Sequence, residues 1–295
     1  MARRDEYYNK AKQQGYRSRS AYKLQQLDET AGLFSAGDTV LDLGAAPGGW
    51  LQVAAERVGS GTVIGVDRQR IDPPADDERG PGSGAAATIE TIRGDVTDER
   101  TRERIREVAG GSGTEHDNGV ETGGKNEAEA GTGVAGSETA DQAVDVVLSD
   151  MAPDMTGTYD LDHARSVHLA RGALAVARDV LVPGGDLAAK AFDGRDLEGL
   201  KNDIDDEFEY VRTVRPEASR DSSSELYLVG KHRLTAPVRA GDELDVEIVD
   251  EGREGDGIAK IEGYTLFVAG AEPGERHRVR VEDLKARFGF ATPIE

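Results

Sequence analysis

Val40-Leu41-Asp42-Leu43-Gly44-Ala45-Ala46-Pro47-Gly48-Gly49-Trp50 is the stretch that decides the fold. A mostly apolar run leads into small residues and then an aromatic. That is the pattern of a buried strand ending in a tight turn, with a helix opening at Gly48 or Gly49. A glycine turn at the carboxyl end of a parallel strand lets a ligand approach the backbone, and the helix start offers free N–H groups. Gly44 is followed by Ala45-Ala46-Pro47, so the turn is not the dinucleotide G-x-G-x-x-G, which disfavours a nicotinamide oxidoreductase. Alone, such a turn is often no more than a strand-to-helix connection.

Its neighbours extend the pattern. A helix over Gln52 to Val58 precedes the strand Gly61 to Asp67, whose final acid lies where α/β cofactor folds accept ribose hydroxyls. Residues 71–87 are rich in Pro, Gly and Asp and read as a loop. A third strand, Ala87 to Arg93, delivers Asp95, and a polar helix follows to Val108. Thr97 or Asp98 is the better helix cap, which leaves Asp95 for a ligand. The strand Ala143 to Asp150 leads into a helix from Asp160 to Leu181, stopped by Pro183-Gly184-Gly185. The strand Asp186 to Phe192, a helix over Asp196 to Ile204, and strands Glu209 to Val214 and Glu225 to Val229 complete the series. This alternation predicts an α/β fold with a mostly parallel, doubly wound Rossmann-like sheet, its last strands an edge hairpin.

Two segments stand apart. Residues 110–142 hold almost no large apolar side chain and are expected to be a disordered acidic insertion without chemistry. From Lys231 onward the texture changes to short alternating strands between glycine turns: Asp245 to Val249, Ile258 to Ile261, Tyr264 to Val268 and Arg278 to Val281. Their spacing fits a small β-barrel, and equally a passive dimerisation module. The domain reading is therefore 1–230 and 231–295.

The chain of 295 residues carries a formal net charge of −21, and only nine of its 36 basic residues are lysine. Such acidity matches a protein working in molar salt, where the Debye length falls to roughly 3 Å and self-repulsion is screened. The acidity thus reflects the solvent and does not argue against nucleic acid. Cysteine is absent, which excludes disulfides, thiolate metal sites and thiol nucleophiles. The five histidines are scattered; His163 and His168 are five apart, off the helical spacing of a metal pair, so no metal is expected. No apolar run approaches the roughly 18 residues of a membrane span, and a cytoplasmic location is the default.

Against the acidic background, residues 1–31 hold seven basic residues and four acidic ones, interleaved with Tyr7, Tyr8, Tyr16 and Tyr22. Basic residues with aromatics suit a surface that tracks phosphates and stacks bases, although a solvated helical face gives the same pattern. Four polar residues hold telling positions: Lys23 on the N-terminal helix, Asp150 and Lys190 at strand ends, Glu225 opening the last strand. In an open parallel sheet, strand carboxyl ends share one edge. Lys190 interrupts an apolar strand, and an amine there must be paired or reactive. Burial beside a second ammonium favours the neutral amine, a usable general base. Singly, Asp150 reads as a cap, Lys23 as a surface charge and Glu225 as an ion-pair partner.

Together, Arg17-Ser18-Arg19-Ser20-Ala21-Tyr22-Lys23-Leu24, the Asp42 to Trp50 turn, Ser149-Asp150-Met151-Ala152-Pro153 and Ser222-Ser223-Ser224-Glu225 resemble the FtsJ/RrmJ-type ribosomal RNA 2′-O-methyltransferases. The resemblance covers roughly residues 1–110 and 143–231, with the motifs in the family's order. It implies a catalytic tetrad on Lys23, Asp150, Lys190 and Glu225. It also implies S-adenosylmethionine contacts at Gly48, Trp50, Asp67, Asp95 and Asp150, and a uridine in 23S rRNA of the large subunit as the target. The C-terminal barrel resembles a TRAM domain, which implies RNA binding. The insertion and the appended barrel depart from the family pattern. A tRNA 2′-O-methyltransferase and a non-catalytic ribosome-assembly factor are the alternatives.

Overall fold

The computed structural model describes residues 2–75, 87–111, 143–219 and 223–294. Two helices, α1 (Ala2–Gln14) and α2 (Ala21–Ala31), precede the first strand. The chain continues as β1 (Thr39–Leu43), α3 (Gly49–Val58), β2 (Thr62–Asp67), β3 (Thr88–Arg93), α4 (Glu99–Gly111), β4 (Val144–Ser149), α5 (Tyr159–Val180), β5 (Leu181–Phe192) and α6 (Leu197–Asp205). Then come β6 (Phe208–Val214) and β7 (Glu225–Arg233). These seven strands form one sheet in the order β3-β2-β1-β4-β5-β7-β6, in which β1 to β5 are mutually parallel and β7 runs antiparallel between β5 and β6. The strand order reverses between β1 and β4, the switch point where open α/β sheets form a crevice.

Strand residues alternate between two cores because the pleat has period two. Leu41, Leu43, Ile64, Val147 and Ala189 pack beneath α4, α5 and α6. Val40, Val63, Val146, Leu148 and Ala188 pack against α2 and α3. Near-continuous burial of β1, β2 and β4 follows from helices on both faces, as expected of parallel strands.

Three boundaries differ from the sequence reading, each for a physical reason. Helix α1 escapes periodicity because, of residues 6–14, only Ala11 is buried. Pro183-Gly184-Gly185 does not separate α5 from the next strand. Instead β5 starts at Leu181, which pairs with Val144, and a register shift before Asp186↔Val146 absorbs the extra residues. Irregular pairing of this kind tolerates a proline that has no N–H to donate. Strand β7 continues past Val229 because Lys231 and Arg233 are buried with partners. Arg233 donates to the carbonyls of Arg178 at 2.6 Å and Leu181 at 2.5 Å, capping the end of α5. Lys231 pairs with Asp186 and donates to Gly32 O at 2.8 Å. Of the insertion read at 110–142, only the first two residues are described, and they close α4; the rest lies outside the described residues.

The C-terminal strands are β8 (Glu243–Glu247), β9 (Asp250–Glu251), β10 (Gly257–Ile261), β11 (Tyr264–Val268), β12 (Arg276–Leu284) and β13 (Phe288–Pro293). They form a curled six-stranded sheet, a half-barrel in the order β8-β12-β13-β11-β10-β9. Just past β8, the Val249 N–H donates to Ile258 O at 2.8 Å and folds that edge over β10. Val246, Ile248, Leu266, Val268, Val279 and Val281 fill the inside. Strand β13 escaped notice because Gly289 and Pro293 interrupt its apolar pattern.

The Lys231–Asp186 pair lies inside the first unit, so removing one partner strands a buried charge. Lys231→Met is expected to lower unfolding stability by about 3–5 kcal/mol, read by urea titration in high salt. The double variant with Asp186→Leu is expected to recover more than half of that loss.

Candidate active site at the carboxyl edge of the sheet

Period-two alternation puts Asp150 on the same face as Val146 and Leu148, and Lys190 on that of Ala188. Antiparallel pairing of β5 with β7 sets Lys190 opposite Tyr227 and Phe192 opposite Glu225. Helix α2 covers this face and brings Lys23 down onto it. The four predicted catalytic residues therefore meet. Lys190 Nζ lies 2.9 Å from Asp150 Oδ1 and also donates to the Asp150 carbonyl at 2.5 Å. Lys23 Nζ lies 2.6 Å from Glu225 Oε1, which accepts a further hydrogen bond from Ser219 Oγ at 2.7 Å. The lysines and Glu225 are buried or nearly so, and Asp150 is partly exposed.

Tyr227 belongs to this group although sequence reasoning passed over it. Its hydroxyl donates to Asp150 Oδ1 at 2.7 Å, and its two-residue offset from Glu225 placed it on the same face. Burial, joined by the Asp150 and Glu225 charges, raises its phenol well above the usual range, so it is a neutral donor. Burial by itself would raise the Asp150 carboxyl; Lys190 and Lys23, with the hydrogen bonds from Lys190 and Tyr227, outweigh it and hold the group below its ordinary value.

A cleft of about 660 Å³ opens beside Asp150, at the ends of β1 to β4. Gly44, Asp67, Asp95, Asp150, Met151 and Asp154 are among the residues that line it. The turn is tight: Gly44 has a φ of +82°, and a Cβ there would fall 2.8 Å from Met151 Cγ. Asp67 fixes this turn, its Oδ2 accepting from Ala46 N–H at 3.0 Å and its Oδ1 from Gln69 N–H at 2.7 Å. Asp95 is not left free as the sequence suggested. Its Oδ1 accepts from the N–H and hydroxyl of Thr97, which lowers its pKa, the backbone bond contributing most.

Gly48 and Trp50 do not line this cleft. Gly48 faces the Arg17 side chain, and Trp50 is buried with its Nε1–H donating to Ser20 O at 2.8 Å and its ring against Tyr227 at 5.8 Å. They belong to a strap that the basic N-terminal motif lays across α3. Arg17 N–H donates to Gln52 Oε1 at 2.8 Å, and its guanidinium reaches the carbonyls of Pro47, Asp72 and Pro73. Gly49 lets this strap close, since a Cβ there would sit 2.2 Å from Ser18 Oγ. The tyrosines of this region mostly pack on one another: Tyr22 contacts Tyr7 and Tyr16, and only Tyr8 of the four is exposed.

Asp42 is the second residue that sequence reasoning quoted but did not use. It is wholly buried on β1, and neither carboxyl oxygen has a hydrogen-bond partner. Burial, with the Asp150 and Asp67 carboxylates nearby, raises its pKa well above the usual range. An acid interrupting an apolar strand is the same signal that singled out Lys190. Burial there favours the neutral carboxylic acid. The S-adenosylmethionine that the resemblance implies carries an ammonium, a sulfonium and ribose hydroxyls, and the carboxylates that line the cleft, Asp67, Asp95, Asp150 and Asp154, suit all three.

Among the described residues, no cluster of histidines and carboxylates is arranged to hold a metal ion, and no helix is long and apolar enough to cross a membrane.

Residues 16–233 match the FtsJ-like methyltransferase family, and residues 237–294 match the TRAM domain. Ribosomal RNA large subunit methyltransferase E of Haloarcula marismortui is 57% identical over 296 residues, with all of both chains covered. The protein of that name from Natronomonas pharaonis is 56% identical over the same span, again with both chains fully covered. A crystal structure of a ribosomal RNA methyltransferase, described as putative, from Plasmodium falciparum shares the fold. It has a TM-score of 0.54 at 24% identity and covers 74% of this chain and 98% of its own. A family match over most of the length and full-length relatives of this similarity establish that the chain belongs to the FtsJ-like methyltransferase family and carries a C-terminal TRAM domain.

Proposed function

We propose that the chain transfers a methyl group from S-adenosylmethionine to the ribose 2′-hydroxyl of a uridine in 23S rRNA of the large ribosomal subunit, in the cytoplasm. The observation that carries this reading is the Lys190–Asp150 pair at the wall of the glycine-turn cleft, with Lys23–Glu225 beside it. The relatives' shared name, ribosomal RNA large subunit methyltransferase E, supports the substrate class.

Bound in the cleft, S-adenosylmethionine supplies a methyl group on a sulfonium, the electrophile for an in-line displacement. Asp67 and Asp95, which line the cleft, would hold its hydroxyl and cationic groups, and Asp150 would face its reacting end. The remaining work is positioning. Asp150 stays ionised and fixes Lys190 Nζ through its carboxylate and carbonyl. Lys190 serves as the general base that takes the 2′-hydroxyl proton as that oxygen is alkylated. Lys23 and Glu225 orient the ribose, and Tyr227 keeps Asp150 in place. Trp50, Gly48 and Arg17 act from behind by fixing α2, and hence Lys23, against the turn. The half-barrel supplies a second RNA surface, with Phe288 and Phe290 exposed.

Labelled S-adenosylmethionine, offered in molar salt with large subunits, free 23S rRNA and tRNA lacking the modification, tests the reading. Label at one alkali-resistant uridine of 23S rRNA is the expected result. Label in tRNA alone moves the substrate, and no label with intact cofactor binding turns the chain into an assembly factor. Lys190→Ala is expected to abolish transfer while S-adenosylmethionine affinity changes less than a few-fold, measured by calorimetry.

Asp42 makes stability depend on pH. Its folded pKa is raised, so stability falls as pH rises from about 4, the unfolded carboxylate value, through the folded value, and is level above it. Asp42→Asn removes that slope and is expected to melt higher than wild type at neutral pH.

A further inference from the structure

A second cleft, of about 310 Å³, lies across the 151–158 loop from the cofactor cleft. Met155, Tyr159, Phe192, Ser223 and Ser224 are among its walls. Met151, Ala152 and Asp154 of the same loop face the cofactor cleft. The second cleft is continuous with the tetrad: Phe192 ends the strand that carries Lys190, and Ser224 precedes Glu225. The Asp193 N–H, donating to Ser224 O at 2.8 Å, ties those two strand ends together.

Its aromatic wall is exposed and yet held. Tyr159 is 58% exposed and Met155 64%, in positions where no apolar core covers them. The Tyr159 hydroxyl donates to Asp193 O, and one face of its ring lies over His163, with centroids 6.5 Å apart and planes at 12°. His163 is itself fixed, bonded through Nδ1 to Phe192 O at 2.9 Å and through Nε2 to Asp196 N–H at 3.1 Å. The loop is pinned by Asp162, which accepts from the Thr156 N–H, the Thr156 hydroxyl and the Gly157 N–H. A ring backed on one face and anchored at its hydroxyl is preorganised to stack with the other face.

We propose that this cleft receives the base of the nucleotide being methylated, with Tyr159 as its stacking platform and Met155 and Phe192 as its apolar sides. The proposal rests on the ribose-methylating reading of the tetrad. A ribose held at Lys190 and Glu225 has the methyl donor on its Asp150 side, and its base must leave by the other. That way leads into the second cleft. Stacking is tolerant of base identity, so the cleft sets the position of the ribose more than the choice of base.

The test uses full-length enzyme and the rRNA substrate in which label is found. Tyr159→Ala is expected to raise KM for RNA about 5- to 100-fold, the range of one lost base stack, with kcat changed less than a few-fold and cofactor affinity unchanged. Tyr159→Phe, which keeps the ring, is expected to remain within a few-fold of wild type. With 4-thiouridine at the methylated position, irradiation is expected to crosslink the base to the peptide containing Met155 and Tyr159, as mapped by mass spectrometry. An active wild type whose crosslink falls elsewhere, with Tyr159→Ala keeping the wild-type KM, overturns the base cleft and leaves the methylation reading standing. A wild type that methylates no RNA overturns both.

Discussion

Two buried ion pairs, Lys190–Asp150 and Lys23–Glu225, are the constraint on which the upper edge of the sheet depends. Desolvating a charge is costly, and a buried pair repays that only with good geometry and further hydrogen bonds. Here the further bonds come from Tyr227, Ser219 and the Asp150 carbonyl. Hydrophobic residues of similar volume would hold the fold at least as well. What the surrounding structure secures is the geometry of four charged groups held in register.

That register has two independent sources. The pleat delivers Asp150, Lys190, Glu225 and Tyr227, because each sits at an even offset from residues already committed to the α2–α3 core. Lys23 arrives by a different route: the Arg17–Ser20 strap fastens the start of α2 to α3 and to the glycine turn. One motif thus shapes the cofactor cleft and fixes the tetrad's fourth member.

The sheet was largely legible because β1, β2 and β4 are apolar runs buried on both faces, and the helices between them have clear stops. The meeting of Lys23, Asp150, Lys190 and Glu225 at one edge was legible by residue type and motif order. What escaped notice has particular physical causes. Helix α1 buries too little side chain to leave a stripe, and β13 is broken by Gly289 and Pro293. The Pro183-Gly184-Gly185 stop was overridden because irregular pairing with β4 accommodates it. Asp95 looked free until the Thr97 hydrogen bonds were located. Gly48 and Trp50 contact the N-terminal strap, a placement that motif order along the chain does not show. Asp42 was masked by the strand around it, since one acid in an apolar run gives no sign that it is wholly buried without a hydrogen-bond partner.

The acidic composition poses a problem for an RNA-binding protein, and salt resolves it in a way that bears on the aromatics. Relatives of this sequence come from haloarchaea. At molar ionic strength, contacts between basic side chains and phosphates lose most of their value, since they derive it from counterion release. A net charge of −21 then repels RNA little, for the same reason that a basic patch would attract it little. Stacking does not depend on counterion release. Exposed rings are therefore the side chains best placed to grip RNA here, and among the described residues they occur at four separated positions: Tyr8 on α1, Tyr159 beside the tetrad, Tyr210 on β6, and Phe288 with Phe290 on the half-barrel. The four interleaved tyrosines of the N-terminus suggested one such surface. The structure folds most of that surface inward and leaves the exposed aromatic area spread along the chain, as a long RNA substrate would engage it.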